Sequence, residues 1–165
     1  MSSRFFFSVG LSDTATVYNP VPSWFSAPFL TYNLPLLKIT TNGQSITEDF
    51  KITADMEVID NGVGNLNYID DIPNGYDGKI GIEIRGASSI GFDKKGFGIE
   101  TRDANGDNNN VELLGMPSEN DWVLHGPFSD KSLIRNFLTY HIGGRLGRYA
   151  PRSRLCEVFF NNQYW

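Results

Sequence analysis

The sequence predicts an α+β fold, mostly antiparallel β-sheet with one principal amphipathic helix. Three observations lead there. Short runs alternate apolar and polar residues, the pattern of half-buried strands. Asn-Gly and Asp-Gly pairs, which accept the positive φ values of tight turns, recur between those runs. A single segment, residues 130–146, switches to three- and four-residue apolar steps.

Taken in order, residues 1–32 form a Pro- and aromatic-rich N-terminal segment or linker. Pro20, Pro22 and Pro28 interrupt a run containing Trp24, Phe25 and Phe29. Proline blocks both helix interiors and central strands, so this segment reads as a tail that docks through its aromatics. A second unit, residues 33–165, carries the strands. Leu36 to Thr41 leads into Asn42-Gly43, a type I′ hairpin signal. Lys51 to Asp60 places Ile52, Ala54, Met56 and Val58 on one face. Asn61-Gly62, Asn74-Gly75 and Asp77-Gly78 mark a polar loop before Lys79 to Arg85, where Ile80, Ile82 and Ile84 alternate with Gly81, Glu83 and Arg85. Gly96 to Arg102 is a further strand, turning at Asn105-Gly106, and Trp122 to Leu124 is short and extended.

Ser129 is a fair helix N-cap, and Asp130 suits the positive end of the dipole. Leu133, Ile134, Phe137, Leu138, His141, Ile142 and Leu146 then make one stripe, with Gly147 as the stop. His141 lies on this stripe and reads as a packed, hydrogen-bonded histidine. The last strand, Leu155 to Phe160, reaches the turn signal Asn161-Asn162, with three residues after it. The expectation is an interrupted hairpin with an exposed apolar edge.

Length and composition set outer limits. A chain of 165 residues suits one domain with a real core, and its 12 phenylalanines predict an aromatic-rich one. Fourteen basic and 19 acidic residues give a net charge of −5, which argues against a general nucleic-acid binder. A phosphorylated small molecule screened by a divalent metal remains compatible. The lone Cys156 permits no internal disulfide, and its apolar surroundings predict a buried, inert thiol. No apolar run reaches the length of a membrane span, and Met1 to Gly10 offers no signal-peptide cleavage site.

Two clusters carry chemistry. Arg85-Gly86-Ala87-Ser88-Ser89, followed by Lys94-Lys95-Gly96-Phe97, brings a cation, hydroxyls and two lysines to one loop, a combination that suits phosphate oxygens. Spacing alone favours an ordinary polar hairpin with solvated lysines. Lys131 and Arg135, four apart, share one face of the expected helix and present paired positive charge; spacing alone favours a solvated helix face. Asp103, Asn105, Asp107 and Asn109 have the oxygen spacing of a calcium loop, but Asn108 and Leu114 stand where that loop needs Gly and Glu, so a β-turn is expected.

The ordered words Arg85-Gly86-Ala87-Ser88-Ser89, Lys94-Lys95, Leu113-Leu114-Gly115-Met116-Pro117, Glu119-Asn120-Asp121-Trp122, Ser129 through Asn136, and Arg152 through Asn161 resemble the spore coat protein H (CotH) kinase-like family. The resemblance runs from about Asn33 to Trp165. It implies an atypical protein kinase of remotely kinase-like fold that uses ATP with Mg²⁺ or Mn²⁺ and acts on a protein acceptor at the cell surface or outside the cell.

By the same resemblance, Arg85, Ser88, Lys94 and Lys95 lie on the nucleotide side. Lys131 and Arg135 belong to the helix behind it, and Glu157 pairs with a lysine that the sequence does not single out. The catalytic and metal-holding aspartates are expected downstream of Trp165, so that this chain would lack the C-terminal half of its domain and be inactive alone. Ala87 and Gly96 depart from the family's Arg-Gly-Asn-Ser-Ser and Pro-Lys-Lys-Ser-Tyr patterns. An extracellular binding or adhesion module that contacts glycan or protein is the alternative.

Overall fold

The computed structural model describes the backbone of residues 4–8 and all of residues 31–165. Of the expected linker, residues 1–3 and 9–30, with Pro20, Pro22, Pro28, Trp24, Phe25 and Phe29, lie outside the described residues, whereas residues 4–8 and 31–32 form strands. Among the described residues, ten strands and one α-helix follow in chain order: β1 (Arg4–Ser8), β2 (Thr31–Tyr32), β3 (Leu36–Thr40), β4 (Ile52–Ile59), β5 (Asn67–Tyr68), β6 (Tyr76–Arg85), β7 (Gly96–Thr101), β8 (Asp121–His125), α1 (Arg135–Arg145), β9 (Ser153–Phe160) and β10 (Gln163–Tyr164). The α+β class holds.

The strands β8, β7, β6, β4, β3 and β9 lie side by side. β1 then pairs with both ends of that row, so the sheet closes on itself: Phe5 stands opposite Val123 on β8 and opposite Ser153 on β9. The sheet is mixed. The pairs β3–β4, β4–β6, β6–β7, β7–β8 and β9–β10 are antiparallel, the last of them across the two-residue turn Asn161-Asn162. β1–β8, β1–β9 and β3–β9 are parallel, because each joins strands far apart in the chain.

Closure explains the alternation in the sequence. Ile52, Ala54, Met56 and Val58 of β4, Ile80 and Ile82 of β6, Phe97 and Ile99 of β7, and Cys156 and Val158 of β9 all point into one core. Leu36, Ile59 and Phe159, one residue out of phase, build a smaller cluster on the opposite face with Tyr32, Ile69 and Tyr164. Cys156 is fully buried, and burial pushes its thiol pKa far above the ordinary range, as an inert packed thiol requires.

An aromatic-rich core is not found among the described residues. Among the described residues the buried aromatics are Phe97, Trp122 and Phe159, and aliphatic side chains fill the rest. Phe50 and Phe128 are exposed, and five further phenylalanines fall between residues 5 and 29, whose side chains are outside the description.

The turns follow their residues with one difference. Asn42 and Gly43 both have positive φ, and the Gln44 N–H donates to the Thr41 carbonyl at 3.0 Å, which is the expected I′ turn. The chain does not re-enter the sheet at once, and β4 begins only at Ile52. Asn161 and Asn162 are likewise both left-handed, and here the return strand does form. Gln163 and Tyr164 pair with Phe160 and Phe159, and the Trp165 N–H reaches the Val158 carbonyl at 2.9 Å. Three residues suffice because their rings also pack. The Phe97, Phe160 and Trp165 centroids lie 4.9 to 5.8 Å apart, and part of the apolar edge expected to be exposed is covered.

The helix is shorter than its sequence pattern. It starts at Arg135, not at Asp130. The Asp130 carboxylate collects the Ser132 N–H and hydroxyl on one oxygen and the Arg135 N–H on the other, at 2.7 to 3.0 Å. That wraps residues 130–134 into a turn with Leu133 left-handed, φ 61°. An acidic side chain that satisfies backbone donors locally competes with the helix, and here it wins the first turn. The stripe also faces outward. Ile134, Leu138, Ile142 and Leu146 are exposed, Leu146 by 74%. His141 is exposed too, stacked on Phe137 instead of packed in a core. Apolar period shows which face a helix would bury, and no described residue covers this one.

Candidate functional site

The first sequence cluster is the loop joining β6 to β7. Arg85 ends β6, a 3₁₀ turn spans Ser88–Gly91, and Lys94 and Lys95 lead into β7. Gly86 makes the loop possible. Its φ is +145°, and a β-carbon there would stand 2.2 Å from the Ser89 hydroxyl. Lys95 folds back on its own loop, its ammonium donating to the Ile90 carbonyl at 2.6 Å and the Phe92 carbonyl at 3.2 Å. Its charge is thus spent on holding the loop shape. Arg85 and Ser88 are exposed, and Arg85 forms no ion pair among the described residues.

The second cluster docks on the first. The Phe92 and Phe128 rings stack with centroids 5.1 Å apart, and the Lys131 ammonium sits 5.4 Å from the Phe128 centroid. Gly126 lies against the backbone of Lys94 and Lys95. Lys131 and Arg135 do not share a helix face, because Lys131 lies in the turn before α1 and Arg135 is the first helical residue. Arg135 stands at the positive end of the dipole, where a cation is unfavourable, and the Asp130 carboxylate 3.3 Å away offsets it. Hydrogen bonds, first of all from the Ser132 hydroxyl, hold the Asp130 pKa below the usual carboxylate value.

The cation whose charge acts on Glu157 is Lys94, without a direct bond between them. On β9 Glu157 is half-buried beside Lys94, and the carboxylate partly restores an ammonium pKa that burial lowers. Burial in turn raises the Glu157 pKa, against the opposing pull of Tyr164 and Lys94. The Tyr164 hydroxyl donates to Glu157 Oε2, and Lys94 Nζ donates to the Trp165 carbonyl at 3.1 Å. No direct ion pair joins Lys94 to Glu157; the two are coupled through the field of a half-buried site, with β10 wedged beside them. Sequence reasoning missed Tyr164. It stands opposite Phe159, which makes it the diagonal neighbour of Glu157, a position that only the hairpin register discloses.

The other candidates resolve simply. Asp103 Oδ1 accepts the N–H groups of Asn105 and Asp107 at 2.8 and 3.0 Å, so the suspected calcium loop is a polar β-turn. Among the described residues no group of three or more His, Cys, Asp or Glu side chains is placed to hold a metal ion. No helix among them is long and apolar enough to cross a membrane.

His125, at the end of β8, is tied to the start of α1. The Asn136 side-chain amide lies 3.1 Å from His125 Nε2. Burial lowers the imidazole pKa below its ordinary 6.5, and Asp130 only partly opposes this. A depressed histidine leaves the unfolded chain binding more protons, so its contribution is complete above about pH 6.5 and is lost as pH falls through the folded value. A ring-proton NMR titration should give a midpoint below 6.5, with the Asn136 amide signal moving in step; a midpoint at or above 6.5 would contradict this placement.

Lys94, Glu157, the β6–β7 loop and the segment that docks on it thus converge at one end of the closed sheet. The family model described as CotH kinase protein matches residues 82–165, which takes in every one of these elements. No curated protein matches the chain. A match across half the chain, over the span that builds the site, places this protein in the CotH kinase family.

Proposed function

We propose that this chain forms the nucleotide-facing part of an ATP-dependent protein kinase, with Lys94 as the phosphate-binding cation and Glu157 as the carboxylate that orients it. The observation that carries this reading is that Lys94 and Glu157, both half-buried, hold the same end of the β9–β10 hairpin beside the loop Ser88–Gly91, Lys94 through the Trp165 carbonyl and Glu157 through the Tyr164 hydroxyl. A buried ammonium without a carboxylate would tend to shed its proton, so Glu157 keeps the charge available at neutral pH. Transfer of a phosphoryl group is mostly positioning and electrostatic stabilisation, and a held cation supplies part of both.

The remaining side chains of the loop take lesser roles. Arg85 and Ser88 are free to meet phosphate oxygens, whereas Lys95, already bonded to two carbonyls, shapes the loop. Mg²⁺ or Mn²⁺, when bound, neutralises charge between the phosphates. The reading assigns its carboxylate ligands, and the group that orients the acceptor hydroxyl, to sequence following Trp165. It also carries the family's expected setting at the cell surface or outside the cell.

The test is a paired assay of phosphate incorporation into protein from ATP with Mg²⁺ or Mn²⁺. It compares the 165-residue chain with the same chain extended to the end of its reading frame. Incorporation by the extended protein alone is the expected result. A folded extended protein that neither incorporates phosphate nor binds ATP would refute the kinase reading and favour a binding module.

A further inference from the structure

Lys94 and Glu157 are each held by one of two adjacent residues instead of by each other. Lys94 Nζ donates to the Trp165 carbonyl at 3.1 Å, and the Tyr164 hydroxyl donates to Glu157 Oε2. The end of the β9–β10 hairpin therefore sets the spacing of the two charges. That hairpin is well anchored for its length. At its turn the Thr41 N–H donates to Asn161 Oδ1 and the Asn161 N–H to the Ile39 carbonyl, both at 2.9 Å. Tyr164 pairs with Phe159 across the hairpin, and the two rings meet edge-on with centroids 5.3 Å apart.

Ring packing does not need the Tyr164 hydroxyl, because phenylalanine offers the same ring. The carboxylate does need a donor. Glu157 is half-buried, and burial disfavours its ionised form. Among the described residues the Tyr164 hydroxyl is its one side-chain donor, and Oε1 is left without a hydrogen bond. Tyr32 also stands near: burial, and after it the Glu157 charge, raises its pKa. Yet Tyr32 gives the carboxylate no hydrogen bond, so nearness alone does not supply one.

We propose that Tyr164 is a positioning residue, whose hydroxyl orients the Glu157 carboxylate beside Lys94 and holds it as the anion. The proposal rests on the nucleotide-facing reading of Lys94 and Glu157, and it makes the β9–β10 hairpin part of the same apparatus. A hydrogen bond to a charged acceptor favours the charged form. Removing the hydroxyl therefore moves Glu157 towards its protonated form, which no longer supports an ammonium that burial already disfavours. The side chain acts through Glu157 and needs no contact with nucleotide.

The test has two arms. In the 165-residue chain, NMR follows the Glu157 carboxyl carbon from acid to neutral pH, with E157Q identifying its signal. Tyr164→Phe should move the midpoint to higher pH. Tyr32→Phe, which removes the neighbouring hydroxyl that makes no such bond, should leave it in place. In the extended protein, Y164F should move the acid limb of phosphate incorporation from ATP to higher pH. The loss on that limb should be about tenfold, the worth of one hydrogen bond to a charged group, and smaller above it. A Y164F midpoint at or below the parent's would overturn the proposal, as would an equal rise in Y32F or a loss of incorporation equal at every pH. Failure of the extended parent to bind ATP would instead refute the kinase reading, and the carboxyl titration would still decide what Tyr164 does to Glu157.

Discussion

Replacing Gly126 with alanine is expected to destabilise the protein by about 3 kcal/mol, near the upper end of overpacking penalties. The added β-carbon would stand 2.4 Å from the Lys95 carbonyl oxygen, 2.9 Å from its carbon and 3.0 Å from the Lys94 carbonyl oxygen. All three are backbone atoms, so no side chain can swing away. Either the segment after β8 or the entry to β7 must move, and both are anchored: β7 and β8 pair from Phe97 with Leu124 through Glu100 with Asp121. For a chain of this size the loss corresponds to a fall in Tm of roughly 6–12 °C. Thermal unfolding followed by circular dichroism measures it. G143A offers a contrast, since a β-carbon there meets only the Ala150 methyl at 3.7 Å and helix propensity favours the change. A Tm for G126A within 2 °C of the parent would show that the loop and the following segment do not touch as described.

Lys94→Met should separate function from stability. If Lys94 holds a phosphate, phosphoryl transfer by the extended protein should fall by about 100-fold or more, the usual effect of deleting one preorganised charge. Stability should hardly change. The ammonium pKa is lowered chiefly by burial, so the site already disfavours the charge, and an apolar side chain of similar length keeps the packing. Glu157 then loses its cation, and its raised pKa should rise further. Lys95→Met should do the reverse, loosening the loop that it ties to Ile90 and Phe92 while leaving more activity. Equal loss of activity in the two variants would indicate that loop shape, and not a phosphate contact, is what the lysines provide.

Much of the sheet was legible because strand signals are local. Ile52, Ala54, Met56 and Val58 alternate, and all four are buried. The Asn161-Asn162 turn was legible for the same reason: asparagine tolerates the left-handed conformation, and both residues adopt it. What was not legible depends on distance along the chain. The parallel pairing of β3 with β9 joins residues about 120 apart, and nothing in either segment marks the other. The start of α1 was misplaced because Ser129 and Asp130 suit a helix N-terminus equally with a turn. Only the three hydrogen bonds to the Asp130 carboxylate decide between them. The helical period of 133–146 was real, but period says nothing about whether a partner covers the stripe.

The site divides in the same way. Arg85, Ser88, Lys94 and Lys95 were legible as a group because one loop carries them. The distinct jobs of the two lysines were not, since only the folded loop sends Lys94 to the Trp165 carbonyl and Lys95 back to the Ile90 and Phe92 carbonyls. Glu157 was legible as a candidate, while its neighbours Lys94 and Tyr164 come from the loop before β7 and from the β9–β10 hairpin. Arg152 and Arg154 stood in a word of the family resemblance and Arg145 did not; only the folded chain gathers the three around one groove between α1 and β9.

The central claim is that Lys94 faces the phosphates of a bound nucleotide. An acyl-phosphate derivative of ATP, which transfers its acyl group to the lysine nearest the phosphates, tests it most directly on the extended protein, with the modified residue located by mass spectrometry. Labelling of Lys94 that excess ATP suppresses is the predicted result. Labelling confined to other lysines, or labelling of Lys94 that ATP does not suppress, would contradict it.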